Sequence, residues 1–214
     1  MGPVKWAFAF LLGLASHCAA LAQAEEYGEF QTPEPAAALA RQHAGKEEAA
    51  LDAGREKRAL QIFLKSIERE ILSAADAMPA DNYGFAPTEG EFKSVRTFGR
   101  QVKHLAATNH ILAAAALGEE APPDAGDEVG PEAARTKAEI LDYLRGSFAH
   151  LGKAIDAIGD RNLAVKSSPI SPLSAAGATR LALTVEALMH SLNHYGQMVV
   201  YLRMNGVVPP ASRP

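Results

Sequence analysis

Apolar residues recur at spacings of three and four positions in four separate stretches of this chain, which is the repeat of one face of an α-helix. These stretches predict helices over about 55–78, 98–117, 131–158 and 173–205. No segment has the strict alternation of a β-strand. The pattern therefore predicts an all-α four-helix bundle. The predicted core stripes are Leu60, Phe63, Ile67 and Ile71 in the first helix, and Ile140, Leu144, Phe148, Leu151, Ile155 and Ile158 in the third.

Helix-breaking and capping residues mark the predicted ends of these helices. Pro79 closes the first helix, and Thr97 is the predicted N-cap of the second, which stops at Gly118. Pro131 suits the first turn of the third helix, and Gly206 ends the fourth. Because the predicted loops exceed ten residues, we expect an antiparallel or partly crossed bundle.

The first 22 residues have the pattern of a secretory signal peptide. Lys5 precedes an apolar run, Trp6–Leu14, that is too short to span a bilayer comfortably. Ala20-Leu21-Ala22 is a typical cleavage signal. We therefore expect an exported protein, periplasmic or secreted, with no stable membrane anchor after cleavage. The alternatives are an uncleaved anchor and a lipid attached to Cys18.

Residues 23–54 are predicted to be a flexible linker with transient helix, because they combine prolines, glycines and an alanine run. The predicted bundle domain then covers residues 55–212. Cys18, within the predicted signal peptide, is the only cysteine. The mature chain would therefore have no disulfide and no thiolate nucleophile, and would hold any metal ion through nitrogen and oxygen ligands.

The charge distribution argues against a nucleic-acid partner. The formal net charge is -4, and no block of lysines and arginines interrupts the sequence. A nucleic-acid surface needs a clustered basic face.

Two histidines four positions apart, His190 and His194, lie in the fourth predicted helix. On one helix face they stand about 6 Å apart along the axis, so both imidazoles can converge on one ion. The position after His190 is Ser191, not the glutamate of the H-E-x-x-H metalloprotease motif. His104 of the second predicted helix is the best-placed third ligand. The alternative for each histidine is a solvated or hydrogen-bonded core residue.

Other polar residues are candidates for supporting roles. Glu186 lies one turn before His190, where its carboxylate would orient a ligand or accept a proton, and it is the only candidate for a catalytic base. Asn193 and Tyr201 are comparable second-shell candidates. The alternative for Glu186 is a solvated or ion-paired carboxylate. His110 and His150 are predicted to be surface residues.

Two segments resemble the DinB/YfiT-like metalloproteins. Arg96–Ala106 is similar to the start of the second helix of that family, and His190–Pro210 is similar to its last helix. The resemblance spans about Arg55 to Ser212. It implies a four-helix bundle that binds one divalent metal ion through three histidines, which in this sequence are His104, His190 and His194.

The resemblance also implies a function, a metal-dependent hydrolase of an unknown small molecule. One alternative is a thiol-dependent transferase of the same fold, although low-molecular-weight thiols are typically cytosolic and the predicted export disfavours it. Another is a non-catalytic metal-binding or dimeric interaction module. An all-nitrogen ligand set favours zinc or nickel. The last predicted helix is apolar on two faces, which also predicts a homodimer.

Overall fold

The computed structural model describes residues 34–125, 127–159, 170–172 and 178–214. The predicted signal peptide and the first part of the predicted linker lie outside these residues. The chain divides into two units, Met1–Lys46 and Glu47–Pro214. The described residues form four α-helices and three short 3-10 helices, and no helix among them is both long and apolar enough to cross a membrane. The α-helices are α1 (Glu34–Ala77), α2 (Phe98–Leu117), α3 (Lys137–Asp156) and α4 (Arg180–Met204).

The apolar stripes meet in one core, as the sequence pattern predicts. All six predicted core residues of the third helix are buried, and so are Leu60, Ile67 and Ile71 of α1. Phe63 is a wrong prediction, since 59% of it is exposed and Leu64 is buried instead. At about 100° per residue, Leu64 falls about 40° from Leu60 and Phe63 about 60° to the other side, at the edge of the stripe.

Side-chain contacts between helices set their directions. Gln61 Nε2 of α1 donates to the Gly152 carbonyl of α3, and Asp76 of α1 pairs with Lys137 of α3, so these two helices are antiparallel. In the same way α2 and α4 are antiparallel, because Gln101 bonds to Gln197 and Arg180 bonds to the Ala116 carbonyl.

The second and third helices run parallel to each other. Gly99 at the start of α2 lies beside Ile140 at the start of α3, and Asn109 farther along α2 bonds to Ser147 farther along α3. Because α2 and α3 run in the same direction, the connection between them must return along the length of the bundle. Of the antiparallel and partly crossed arrangements that were expected, the structure has the partly crossed one. This connection carries Glu128, which contacts the candidate site.

Three predicted helix starts differ from the structure. The first helix begins at Glu34 and not near 55, because exposed Gly45 and Gly54 lower its helix propensity without breaking it. The third begins at Lys137 and not at Pro131, since Thr136 and Glu139 form a capping box there. The fourth begins at Arg180, after an N-cap at Thr179. Of its predicted start at 173, residues 173–177 lie outside the described residues.

The bounds of α2 are those predicted from the sequence. The Thr97 hydroxyl accepts a hydrogen bond from the Arg100 N–H, and Gly118 ends the helix in a left-handed conformation with φ 78°. Gly99 packs directly on Tyr83, where an added Cβ would lie 3.1 Å from the ring and 3.2 Å from the carbonyl oxygen. This close approach seats the first turn of α2, one turn before His104.

Candidate metal centre

The structure brings three imidazole rings together between α2 and α4. His104 comes from α2, and His190 and His194 come from α4. The ring centroids are 5.2 Å apart for His104 and His190, 4.8 Å for His104 and His194, and 4.3 Å for His190 and His194. One ligand nitrogen from each ring lies within 4.8 Å of the other two. We call these residues the histidine triad; within the described residues it is the only such group of potential metal ligands.

The loop after α2 fixes the orientation of His104. Its Nδ1–H donates to the Glu128 carbonyl at 2.9 Å, and the Glu128 carboxylate lies 3.6 Å from the same nitrogen. Glu128 adopts a left-handed backbone with φ 61°, which is uncommon for a residue with a side chain. Gly130 packs so closely on Lys103 that a Cβ added at position 130 would lie 3.2 Å from the Lys103 carbonyl oxygen. The loop thus holds Nδ1 in its protonated form and leaves Nε2 free to bind a metal ion.

A row of amides fixes the orientation of His194. Gln101 Nε2 lies 2.5 Å from His194 Nδ1 and 2.7 Å from Gln197 Oε1, and Gln197 Nε2 donates to Asn193 Oδ1 at 2.7 Å. An amide oxygen and nitrogen are assigned only from their hydrogen bonds. When His194 binds an ion through Nε2, its Nδ1 carries the hydrogen. If the side-chain amides of Gln101, Gln197 and Asn193 all exchange their oxygen and nitrogen positions, the Gln101 oxygen accepts the hydrogen of His194 Nδ1. Each of the other hydrogen bonds in the row is then kept with its donor and acceptor reversed.

The remaining ring, that of His190, faces its neighbour on α4. Its Nε2 lies 2.9 Å from Nε2 of His194, while its Nδ1 is buried with no hydrogen-bond partner among the described residues. Two nitrogens that bind one ion at 2.0–2.1 Å stand about 2.9 Å apart at a right angle and roughly 3.3 Å apart at the tetrahedral angle that zinc prefers. The donor set and its spacing therefore fit a divalent transition-metal ion.

Burial keeps the triad neutral. It is the main cause that lowers the pKa of His190 to about 4 and that of His194 to about 3, and it also lowers the pKa of His104. The neighbouring histidines further lower the pKa of His190 and His194, and the positive charge of Arg96 acts in the same direction on all three. Neutral imidazoles have the lone pairs that a metal ion needs.

Two clefts flank the triad. The first, about 600 Å³, is lined by Gln101 and Gln197 of the amide row and by Arg96, Arg100 and Tyr201. The second, about 610 Å³, is lined by His190 itself together with mostly apolar side chains. Its lining residues are Pro172, Ala182, Val185, Glu186, Met189, His190 and Asn193. A small molecule in the second cleft would lie directly against a triad ring.

The other predicted site residues lie around the triad but do not bond to it. Glu186 accepts a hydrogen bond from Ser171 at 2.6 Å at the wall of the second cleft. Asn193 is the far end of the amide row. Tyr201 donates to the Arg96 carbonyl at 3.1 Å and lines the first cleft.

Two residues that orient the triad, Gln101 and Glu128, are not among the sequence-predicted site residues. A signal existed for Gln101, which lies three positions before His104 and so on the same helix face. Glu128 carries no such signal, because a loop residue is positioned by the fold of the connection. The prediction that His110 and His150 are surface residues is wrong, since both are half-buried and in mutual contact.

The model of the DinB superfamily matches residues 64–198, which is more than half of the chain. The matched segment contains all three histidines of the triad. No curated protein matches the chain.

Proposed function

The chain belongs to the DinB superfamily, and from that premise we propose that it is a metal-dependent hydrolase of a small molecule. The observation that carries the proposal is the convergence of three neutral imidazoles beside a cleft. Within the described residues, His104, His190 and His194 are the group that would hold the ion. Zinc and nickel suit this all-nitrogen set best.

The ligand set leaves room for reaction chemistry. Three histidines would leave at least one coordination position of the ion open, and the ion would supply Lewis acidity there, to acidify a bound water or to polarise a carbonyl group. The chain's own residues provide the surroundings. The apolar wall of the second cleft, which includes Val185 and Met189, would bind the apolar part of a substrate and exclude bulk water.

Glu186 is the residue we propose as proton acceptor. It lines the same cleft as His190, and its hydrogen bond from the Ser171 hydroxyl fixes one carboxylate oxygen. The other oxygen is available to take a proton from an attacking water and to pass it to the leaving group. A Glu186→Gln variant should bind metal normally but lose most of its turnover.

Metal analysis and a hydrolysis assay test this proposal together. The purified protein should contain one equivalent of zinc or nickel in the triad, and His104→Ala and His194→Ala should each lose it. The metal-loaded protein should hydrolyse members of a panel of small esters and amides, and a chelator should abolish that activity. His43→Ala is the matched control, because His43 is exposed on α1. Retention of the full equivalent of tightly bound metal in both triad variants would refute the proposed ligands.

The second candidate function is a non-catalytic metal-binding module. It is favoured by the absence, within the described residues, of any hydrogen bond between Glu186 and the triad. A stoichiometric metal content without turnover on the whole panel would support it. A thiol-dependent transferase of the same fold would instead need a low-molecular-weight thiol for activity, which the same panel tests when glutathione is added.

We further propose that the protein is exported and forms a homodimer. Residues 1–22 support export by their sequence pattern. Exposed apolar residues along α4, namely Leu192 and Val200, support self-association. Processing of the precursor in a secretion assay tests the first proposal. Light scattering at micromolar concentration tests the second, and a monomeric mass would contradict it.

A further inference from the structure

Two further histidines, outside the histidine triad, lie where α2 packs on α3. The Nδ1 atoms of His110 and His150 are 3.0 Å apart, and their ring centroids are 5.2 Å apart. His110 follows His104 by six positions, which places it about 9 Å farther along α2 and about 120° around it. The pair is therefore separate from the histidine triad.

Two facing ring nitrogens at this distance need a hydrogen or a cation between them. Two lone pairs would repel, and two N–H groups would clash. The Glu119 carboxylate, with Oε2 3.5 Å from His150 Nε2, favours the state in which that nitrogen is protonated. That nitrogen then carries the hydrogen, and His150 presents the lone pair of Nδ1 to His110. A carboxylate behind a histidine is the arrangement that orients metal-binding imidazoles in proteins.

The surroundings also keep His110 ready to act as a ligand. Burial, and next the unfavourable electrostatic interaction with His150, lower the pKa of His110 to about 4, although the nearby Asp124 carboxylate acts in the opposite direction. The ring is therefore neutral at pH 7. Two nitrogens bound to one ion at about 2.0–2.1 Å stand about 2.9 Å apart at a right angle and roughly 3.3 Å apart at the tetrahedral angle that zinc prefers. The observed separation is 3.0 Å.

A polar atom without a partner lies next to the pair. The hydroxyl of Tyr143 is buried and has no hydrogen-bond partner in the part of the chain that the structure describes. Its ring centroid is 5.0 Å from that of His110. A buried hydroxyl normally has a partner, so Tyr143 is a polar group in contact with His110 whose hydrogen-bonding capacity is unused among the described residues.

We propose that His110 and His150 bind a second divalent transition-metal ion through their Nδ1 atoms. The ligand class is zinc, copper or nickel, because neutral imidazole favours these ions over magnesium and calcium. Glu119 is the positioning residue of the site, and water completes the coordination. With two protein ligands, this site should bind more weakly than the triad.

Equilibrium dialysis against zinc provides the test. The metal-free protein should take up two equivalents, the second more weakly. His150→Gln should keep only the tight equivalent, and the double variant His104→Gln/His190→Gln, which leaves one triad histidine, should keep only the weaker equivalent bound by His110 and His150. Glu119→Gln should weaken the second equivalent about tenfold or more while leaving the first unchanged. His43→Gln, which changes an exposed histidine of α1, should still bind two.

The variants separate this proposal from the proposed function. Loss of one equivalent in His150→Gln but no change in the double variant His104→Gln/His190→Gln would support the pair and refute the triad. A second equivalent that survives both His150→Gln and Glu119→Gln would overturn the pair, and so would a wild-type protein that binds only one equivalent. Glu119 is exposed, so its variant tests the site even if His150→Gln fails to fold.

Discussion

The pH dependence of metal binding at the triad gives the sharpest test of how these histidines are buried. Protons compete with the ion for each imidazole, and the apparent affinity falls as the ring becomes protonated. If the three histidines had an ordinary pKa of about 6.5, protonation of each would lower the apparent affinity about elevenfold at pH 5.5, or about a thousandfold together. The perturbation is therefore a change from pH 7.5 to pH 5.5.

The structure predicts a far smaller loss. Because the pKa of His190 is lowered to about 4 and that of His194 to about 3, both rings remain neutral at pH 5.5. Their protonation therefore lowers the apparent affinity for the ion hardly at all. The pKa of His104 is also lowered. At most one ring then contributes, so the affinity should fall by less than about elevenfold.

Competition titration with zinc and a chromophoric chelator measures this dependence directly. The chelator's own affinity must be determined at each pH, and His150→Gln serves as the background so that the second pair of histidines does not contribute. A fall of about a thousandfold would show that the three rings titrate independently in water. That result would refute the burial of the triad as described.

Three further predictions follow from the fold and the site. Without metal, the free energy of unfolding should decrease as the pH falls from about 6.5 toward 3, because the triad histidines bind protons in the unfolded chain while the buried rings of the folded protein stay neutral. A free energy of unfolding from urea denaturation that stays constant over that range would contradict this prediction. Thr136→Ala should destabilise the protein by about 1 kcal/mol through loss of the capping box, measured by chemical denaturation, whereas Thr136→Ser should be nearly neutral. Arg96→Met should tighten metal binding a few-fold at low salt, since it removes a positive charge near the triad. Arg100→Met is the control, because the charge of Arg100 is not among the causes of the triad's lowered pKa values, and it should change binding less in the same titration. Equal effects of the two variants would contradict the electrostatic role of Arg96.

Periodicity predicted most of the fold because burial requires it. The stripe from Ile140 to Ile158 is buried as a unit, and the Thr97 cap and the Gly118 stop define α2 to the residue. The errors fall where local signals compete. The third helix was predicted to start at Pro131, whereas it starts after the capping box of Thr136 and Glu139, and a threonine followed three positions later by glutamate is the stronger signal.

The candidate site was predictable in part for a similar reason. The spacing of His190 and His194 places both on one face of a helix, so their convergence is a local property of the sequence. The approach of His104 and the contact between His110 and His150 depend instead on which helices pack together, and in which direction. Helix periodicity alone does not decide whether α2 and α3 run parallel. The carbonyl of Glu128 reaches His104 only because the chain crosses the bundle there.

The register between α2 and α4 explains why the rings meet at all. Asn109 is fully buried one turn beyond the triad, where it donates to Ser147 of α3 and accepts from Ser191 of α4. A shift of one residue would rotate a helix by about 100° and leave these polar groups buried without partners, at a cost of about 1–3 kcal/mol for each group. Apolar packing alone tolerates sliding far better than such a bonded set. This polar link therefore specifies the one alignment in which His104 of α2 lies opposite His190 and His194 of α4.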